Sequence, residues 1–304
     1  MGDDQGRRRA GLMLGVAAYL LWGVMPLYFK ALAHVGPVEI VAHRIVWSLV
    51  FLAVLIVLWR RWPATRAALA NRRALGLLAL TAALIAANWL IYVHAVVSGH
   101  VLEASLGYYL NPLVNVLLGV LLLKERLGRL QVAATLLSGA GVLVLAAGAG
   151  SGLWISLALA GTFAGYGFLR KIAPVDALEG LSIETVILAP VALGWLLWLE
   201  GTGAGGFLAS GPTTALLLAL GGAVTAVPLL LFTAAARRLP YSTLGFLQYL
   251  APSLQFLLAV LAFGEPLTRA HAICFGAIWA ALALFTFDGL RAARRARLAA
   301  AGMV

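Results

Sequence analysis

His43 and Arg44 sit inside the apolar run 38–59, and Glu184 sits inside the apolar run 181–199. A charge inside such a run is costly in hydrocarbon, so it marks a place that receives a ligand, a counter-charge or water. Arg44 lies about six residues into its run, an estimated depth of ~9 Å by helical rise. A carboxylate, a substrate anion, backbone carbonyls or water would serve it there. The plainer alternative is a side chain that snorkels to the outer interface. Glu184 is the counterpart of Arg44 under a shift of 140 positions, with the opposite charge. Its plainer alternative is an interfacial carboxylate favoured by a helix N-terminus. Their similar depths from opposite faces argue against direct pairing in straight helices, and assign each to a gate or vestibule on its own side.

Asn88, Asn111, Asn115, Gln248 and Gln255 also fall within apolar runs. Amides supply donors and acceptors without a fixed charge, which suits a polar, uncharged ligand group. The same groups can simply bond helix to helix. Asn115 and Gln255 are equivalent under the 140-residue shift, which favours a paired structural role; Asn111 and Gln248 are the better substrate candidates. Trp22 and Trp89 lie deep enough to wall a pocket for a flat or apolar molecule, and Tyr108 adds aromatic surface beside them. Tyr28 and Tyr92, nearer the outer ends, suit an interfacial belt. His43 and His94 are candidates for proton coupling because histidine titrates near neutral pH. Glu103 and Glu184 are the carboxylate candidates for the same task. Glu125 and Glu265 read as helix-end or loop anchors. No HExxH, CxxC pair or P-loop occurs, so neither metal hydrolysis nor ATP drive is encoded, and no cofactor is expected. The single cysteine, Cys274, excludes an intramolecular disulfide and reads as a small packing residue.

The elements that position these residues are membrane helices. The chain is 63% hydrophobic and 11% charged, where a soluble domain carries about 25% charged residues. Runs of roughly 20 apolar residues cross a bilayer as helices. They are predicted near 12–33, 38–59, 74–97, 101–123, 129–148, 152–170, 181–199, 214–236, 241–263 and 269–288. The run from Leu12 is too long for the apolar core of a cleaved signal peptide and reads as a retained span. Nineteen of the 22 basic residues fall at the termini and in alternate loops on one side, leaving Lys30 and Arg269 on the other and Arg44 within a span. Basic loops stay in the cytoplasm, so both termini are expected there, in a multi-pass protein of the cell inner (plasma) membrane. That placement also argues against nucleic acid as the partner of a chain with net charge +11. The expected partners are a small-molecule substrate and membrane lipids.

Tyr109–Leu127, YLNPLVNVLLGVLLLKERL, returns at Tyr249–Leu267 as YLAPSLQFLLAVLAFGEPL, with Pro112 matching Pro252 and Glu125 matching Glu265. Ten of 31 positions are identical between Val101–Gln131 and Tyr241–His271. The unit of about 140 residues holds five spans, and an odd number inverts the second copy relative to the first. The expected division is 1–148, 149–288 and a basic cytoplasmic tail 289–304 that frays or lies against anionic lipid. A membrane enzyme would need clustered acid, base or metal ligands, and a channel a continuous polar pore; neither pattern is present.

EASLGYYLNPLVNVLLGVLLLKERL from Glu103 and STLGFLQYLAPSLQFLLAVLAFGEP from Ser242 resemble the RarD subfamily of EamA-type permeases, in the drug/metabolite transporter superfamily. WGVMPLYFKAL from Trp22, EIVAHRIVWS from Glu39, NWLIYVHAV from Asn88 and GLSIETVILAP from Gly180 extend the resemblance from Trp22 to Asp288. It implies an all-α fold of ten transmembrane helices in two inverted five-helix repeats. It also implies alternating-access export of small amphipathic metabolites or drugs, chloramphenicol-like compounds among them. An importer or exchanger of amino-acid-like metabolites on the same fold is the alternative.

Overall fold

A long apolar segment has no water in a bilayer to satisfy its peptide groups, and the helix satisfies them within the segment. The computed structural model describes residues 2–123, 128–148, 152–236, 238–239 and 247–300, and they contain helix and no strand. The helices are α1 Gly2–Ala31, α2 Pro37–Leu58, α3 Trp62–Ala70, α4 Arg72–Val97, α5 Val101–Leu123 and α6 Arg129–Gly148. They continue with α7 Leu153–Ile172, α8 Ala177–Thr202, α9 Gly206–Ala209, α10 Pro212–Ala236, α11 Leu250–Leu257 and α12 Arg269–Ala300. A π-helical turn, Leu258–Ala262, prolongs α11.

Among the described residues seven helices are long and apolar enough to cross a membrane: α1, α2, α4, α6, α8, α10 and α12. Helices α5 and α7 pack within the same bundle. The ninth expected run is a shorter apolar stretch, Leu250–Ala262, and its first residues, 241–246, lie outside the described ones. Large apolar side chains such as Val57, Leu143, Val191 and Leu261 face outward, the surface that lipid covers.

Helix α2 packs on α8 and α10, α4 on α7 and α8, and α1 on α10 and α11. Helix α5 packs on α7 and α11, and α6 on α12. Adding 140 to residue numbers carries α1 to α7, α2 to α8, α4 to α10, α5 to α11 and α6 to α12. The contact of α1 with α10 then matches that of α7 with α4. The pairs α2–α8, α5–α11 and α6–α12 map onto themselves. Close crossing of α2 and α10 rests on Gly222, where a Cβ would run into the backbone carbonyl of Trp47; small residues let membrane helices approach in this way.

Three features differ from the sequence expectation. The basic tail is helical to Ala300, because nothing in its Arg- and Ala-rich sequence opposes helix. Two short helices, α3 and α9, occupy loops that carried no apolar-span signal. Arg170, read as a loop charge, lies in the last turn of α7 and points back into the bundle.

Candidate substrate site

Pro37 at the first turn starts α2 with its fixed φ and no N–H to satisfy. Seven residues on, or about 10 Å along the helix, Arg44 is 5% exposed. Its Nε donates to Thr225 Oγ1 on α10 at 2.6 Å, and the Thr225 hydroxyl donates to the Gly221 carbonyl at 2.8 Å. The guanidinium carbon stands 4.3 Å from the Trp89 ring centroid and 5.7 Å from that of Phe29. Tyr28, Tyr92 and Tyr108 surround it closely enough to interact electrostatically. Tyr28 donates to the Leu217 carbonyl at 2.8 Å, Tyr108 donates to Asn88 Oδ1 at 3.2 Å, and the buried Tyr92 hydroxyl has no partner. Among the described residues, the bond to Thr225 is the guanidinium's one hydrogen bond, and no carboxylate lies within 4 Å. Ser48, one turn along α2, keeps a buried hydroxyl without a partner.

Tyr28 and Tyr92 are therefore not belt residues. The bundle turns them toward Arg44, whose guanidinium lies over the Phe29 and Trp89 rings, as cationic groups are attracted to aromatic faces. Glu184 on α8 has a different neighbourhood. Thr81 Oγ1 donates to it at 2.6 Å, Tyr166 donates at 3.3 Å, and Arg170 Nε lies 3.6 Å away. Its counter-charge is Arg170, and Gly180 makes room for that guanidinium: a Cβ there would run into it.

Two further carboxylates, unremarked in the sequence, close the ends of the α2–α8 pair. Glu39 accepts the N–H of Gly206, at the start of α9, at 2.6 Å. His43 is 3.9 Å from Glu39 and stacks on Phe207 at 4.7 Å, its Nε2 unpartnered. At the other end, Arg61 bonds Glu179 at 2.5 Å and Asp176 at 2.7 Å. The bonds to the two carboxylates hold the Arg61 guanidinium above its ordinary pKa. Glu39 and Glu179 are themselves 140 residues apart, and that spacing is the signal that could have found them.

Asn88 donates to the Leu159 carbonyl at 3.2 Å and to Thr162 at 3.0 Å, joining α4 to α7 while it positions Tyr108. Asn111 is buried on α5 with an unpartnered Oδ1. Trp22 lies apart from Arg44, in an aromatic group with Tyr19 and Phe232, and its carbonyl accepts from Gln255. Gln248 is half-buried just ahead of α11. Glu103 begins α5, 3.9 Å from His271, and His94 is exposed beside Ser98 and Trp154. Glu265 caps α5, accepting the N–H groups of Val101 and Leu102 at 2.9 and 2.7 Å. Burial pushes its carboxyl above the usual range, and those two bonds pull it back. Glu125 lies outside the described residues. Among the described residues no group of three His, Cys, Asp or Glu side chains could hold a metal ion.

A cavity of about 560 Å³ opens beside Arg61 and Arg238, on the face carrying the basic loops. Leu52, Ala226, Leu229 and Leu230 line it together with Asp176 and Glu179. Ala226 adjoins Thr225, the partner of Arg44. The cavity and Arg44 thus lie along the same two helices, α2 and α10, with Arg44 and its aromatic neighbours outside the cavity's lining.

The model of the EamA-like transporter family matches residues 9–147. Protein RarD of Streptomyces exfoliatus is 49% identical over 293 residues, covering 96% of this chain and 93% of that protein. The chain belongs to the RarD-type EamA transporters. The chloramphenicol-sensitive protein RarD of Pseudomonas aeruginosa is 37% identical over 289 residues, covering 94% of this chain and 96% of that protein. A protein of known crystal structure covers 92% of this chain and 98% of its own at a TM-score of 0.59 and 22% identity, which shows a shared fold.

Proposed function

We propose that the chain is a secondary carrier that exports small amphipathic metabolites or drugs by alternating access. The single observation that carries this reading is the cavity on the basic-loop face, where Arg61, Asp176, Glu179 and Arg238 stand beside an apolar wall of Leu52, Ala226, Leu229 and Leu230. Such a cavity receives a molecule with one polar and one greasy end. With basic loops in the cytoplasm, the cavity opens inward and both termini are cytoplasmic. Packing that repeats under the 140-residue shift supports two inverted units, 1–148 and 149–288, which supply two access states. Chloramphenicol-like compounds are the first to test, given the name carried by the Pseudomonas aeruginosa relative. His43 and Glu184 are the buried candidates for proton coupling.

The test is counterflow in proteoliposomes with a panel of amphipathic solutes, the orientation checked with tags at Gly2 and Val304. A carrier gives saturable uptake stimulated by solute on the far side. Uptake that neither saturates nor counterflows for any member of the panel would overturn the reading.

A further inference from the structure

We propose that Arg44 is the binding point for the anionic group of an amphipathic substrate, a carboxylate on a flat or aromatic body. The proposal rests on the carrier reading and narrows its substrates, placing neutral chloramphenicol among the weaker ones. A buried charge in a membrane helix marks a functional site unless its surroundings neutralise it. Glu184 is neutralised by Arg170, whereas Arg44 has no carboxylate within 4 Å among the described residues and spends one donor, on Thr225. A guanidinium presents five N–H donors in a planar fork that matches a carboxylate edge.

Three further observations point to a ligand there. The Tyr92 hydroxyl, on a side chain 4% exposed, has no partner, and neither has that of Ser48. The rings of Trp89 and Phe29 lie against the guanidinium, so a flat body that follows the anion meets aromatic surface beside it. The cavity on the basic-loop face counts in its lining Ala226, next to Thr225 in the chain, and Leu52, two turns along α2 from Arg44. Tyr28 and Tyr108 donate their hydroxyls to Leu217 and Asn88, which holds both rings in place.

A charge series on one body tests this: 3-phenylpropionate, 3-phenylpropanamide and 3-phenylpropylamine, with the purified full chain. Binding is read as a saturable rise in melting temperature, and transport as counterflow in proteoliposomes. The wild type should bind the anion about tenfold more tightly than the amide, the scale of one charge-assisted hydrogen bond, and the amine least. Arg44→Gln should bring anion and amide within about twofold of each other, by losing that bond, and Arg44→Lys should keep part of the preference. Wild type that prefers the amide or the amine overturns the proposal, and that comparison stands even if Arg44→Gln fails to fold. Arg44→Gln that folds and keeps the anion's advantage overturns it as well. Anion-selective binding with no counterflow of any of the three supports the site and sinks the carrier reading instead.

Discussion

Asn88 and Asn111 are both buried amides, and they differ in what stays unpaired. Asn88 bonds Leu159 and Thr162 and receives Tyr108. Asn111 leaves its Oδ1 open. Asn88→Ala should therefore cost about 1–2 kcal/mol, by stranding buried partners, seen as a lower melting temperature in detergent. Asn111→Ala should melt near the wild type yet transport poorly. If Asn111→Ala loses stability and activity in parallel, its amide belongs with the interhelical bonds. The same accounting applies to Arg44. A charge at the bilayer centre costs roughly 2.5–3.5 kcal/mol on insertion scales. A desolvated cation–π contact returns about 2 kcal/mol or more, so the aromatic ring set offsets most of the cost while the donors stay free. Arg44 and Glu184 were legible in the sequence because that cost makes any charge in an apolar run conspicuous. Their surroundings were not: position along a span casts Tyr28 and Tyr92 as interfacial, and only helix packing turns them toward Arg44.

Helices α3 and α9 occupy equivalent places, 140 residues apart, at opposite ends of the bundle. Glu39 on α2 holds the start of α9, and Glu179 on α8 holds Arg61 just ahead of α3. These are equivalent places, 140 residues apart, clasped at opposite faces. The Arg61 side chain is about one-third exposed while that of Glu179 is buried, so the contact is weak enough to open in a transport cycle. A partly exposed pair contributes up to about 1 kcal/mol, and losing it shifts a two-state equilibrium by roughly two- to fivefold. Arg61→Ala should raise thiol labelling of a cysteine placed at Leu178, in the cavity wall, by that factor. Glu39→Gln should raise labelling of a cysteine at Phe207 instead. The one native cysteine, Cys274, is buried and gives little background. Unchanged labelling in both variants would make the clasps static anchors. The long helices were legible from apolar runs and basic loops, most of them to within a few residues. Helices α3 and α9 were not, since four to nine residues of mixed polarity carry no span signal and are held by contacts from other helices.

At the scale of the whole molecule, the duplication visible from Tyr109 and Tyr249 does not make two separable bundles. Helix α1 packs on α10 and α11, and α7 packs on α4 and α5. Each copy of the unit lends its first helix to the other, so the copies interleave. A repeated sequence shows that two units exist, but whether each closes on itself depends on which crossings small residues permit, and that is settled between helices far apart in the chain. Gly222 against Trp47, bringing α10 onto α2, is one such crossing. Under the proposed alternating access, the moving groups would be helices drawn from both copies rather than residues 1–148 rocking against the rest. The interleaving has a direct consequence for the split chain. Residues 1–150 alone would expose the apolar and polar faces that α7, α8 and α10 cover, including Asn88 and Arg44 without their partners Leu159 and Thr225. Produced separately, each half should be degraded or fail to bind; produced together, the two should assemble, co-purify and recover transport, because the contacts that join the halves run between α1, α2, α4, α5 and α6 on one side and α7, α8, α10, α11 and α12 on the other. A half that is stable and monodisperse by itself would show that the interleaved contacts are dispensable.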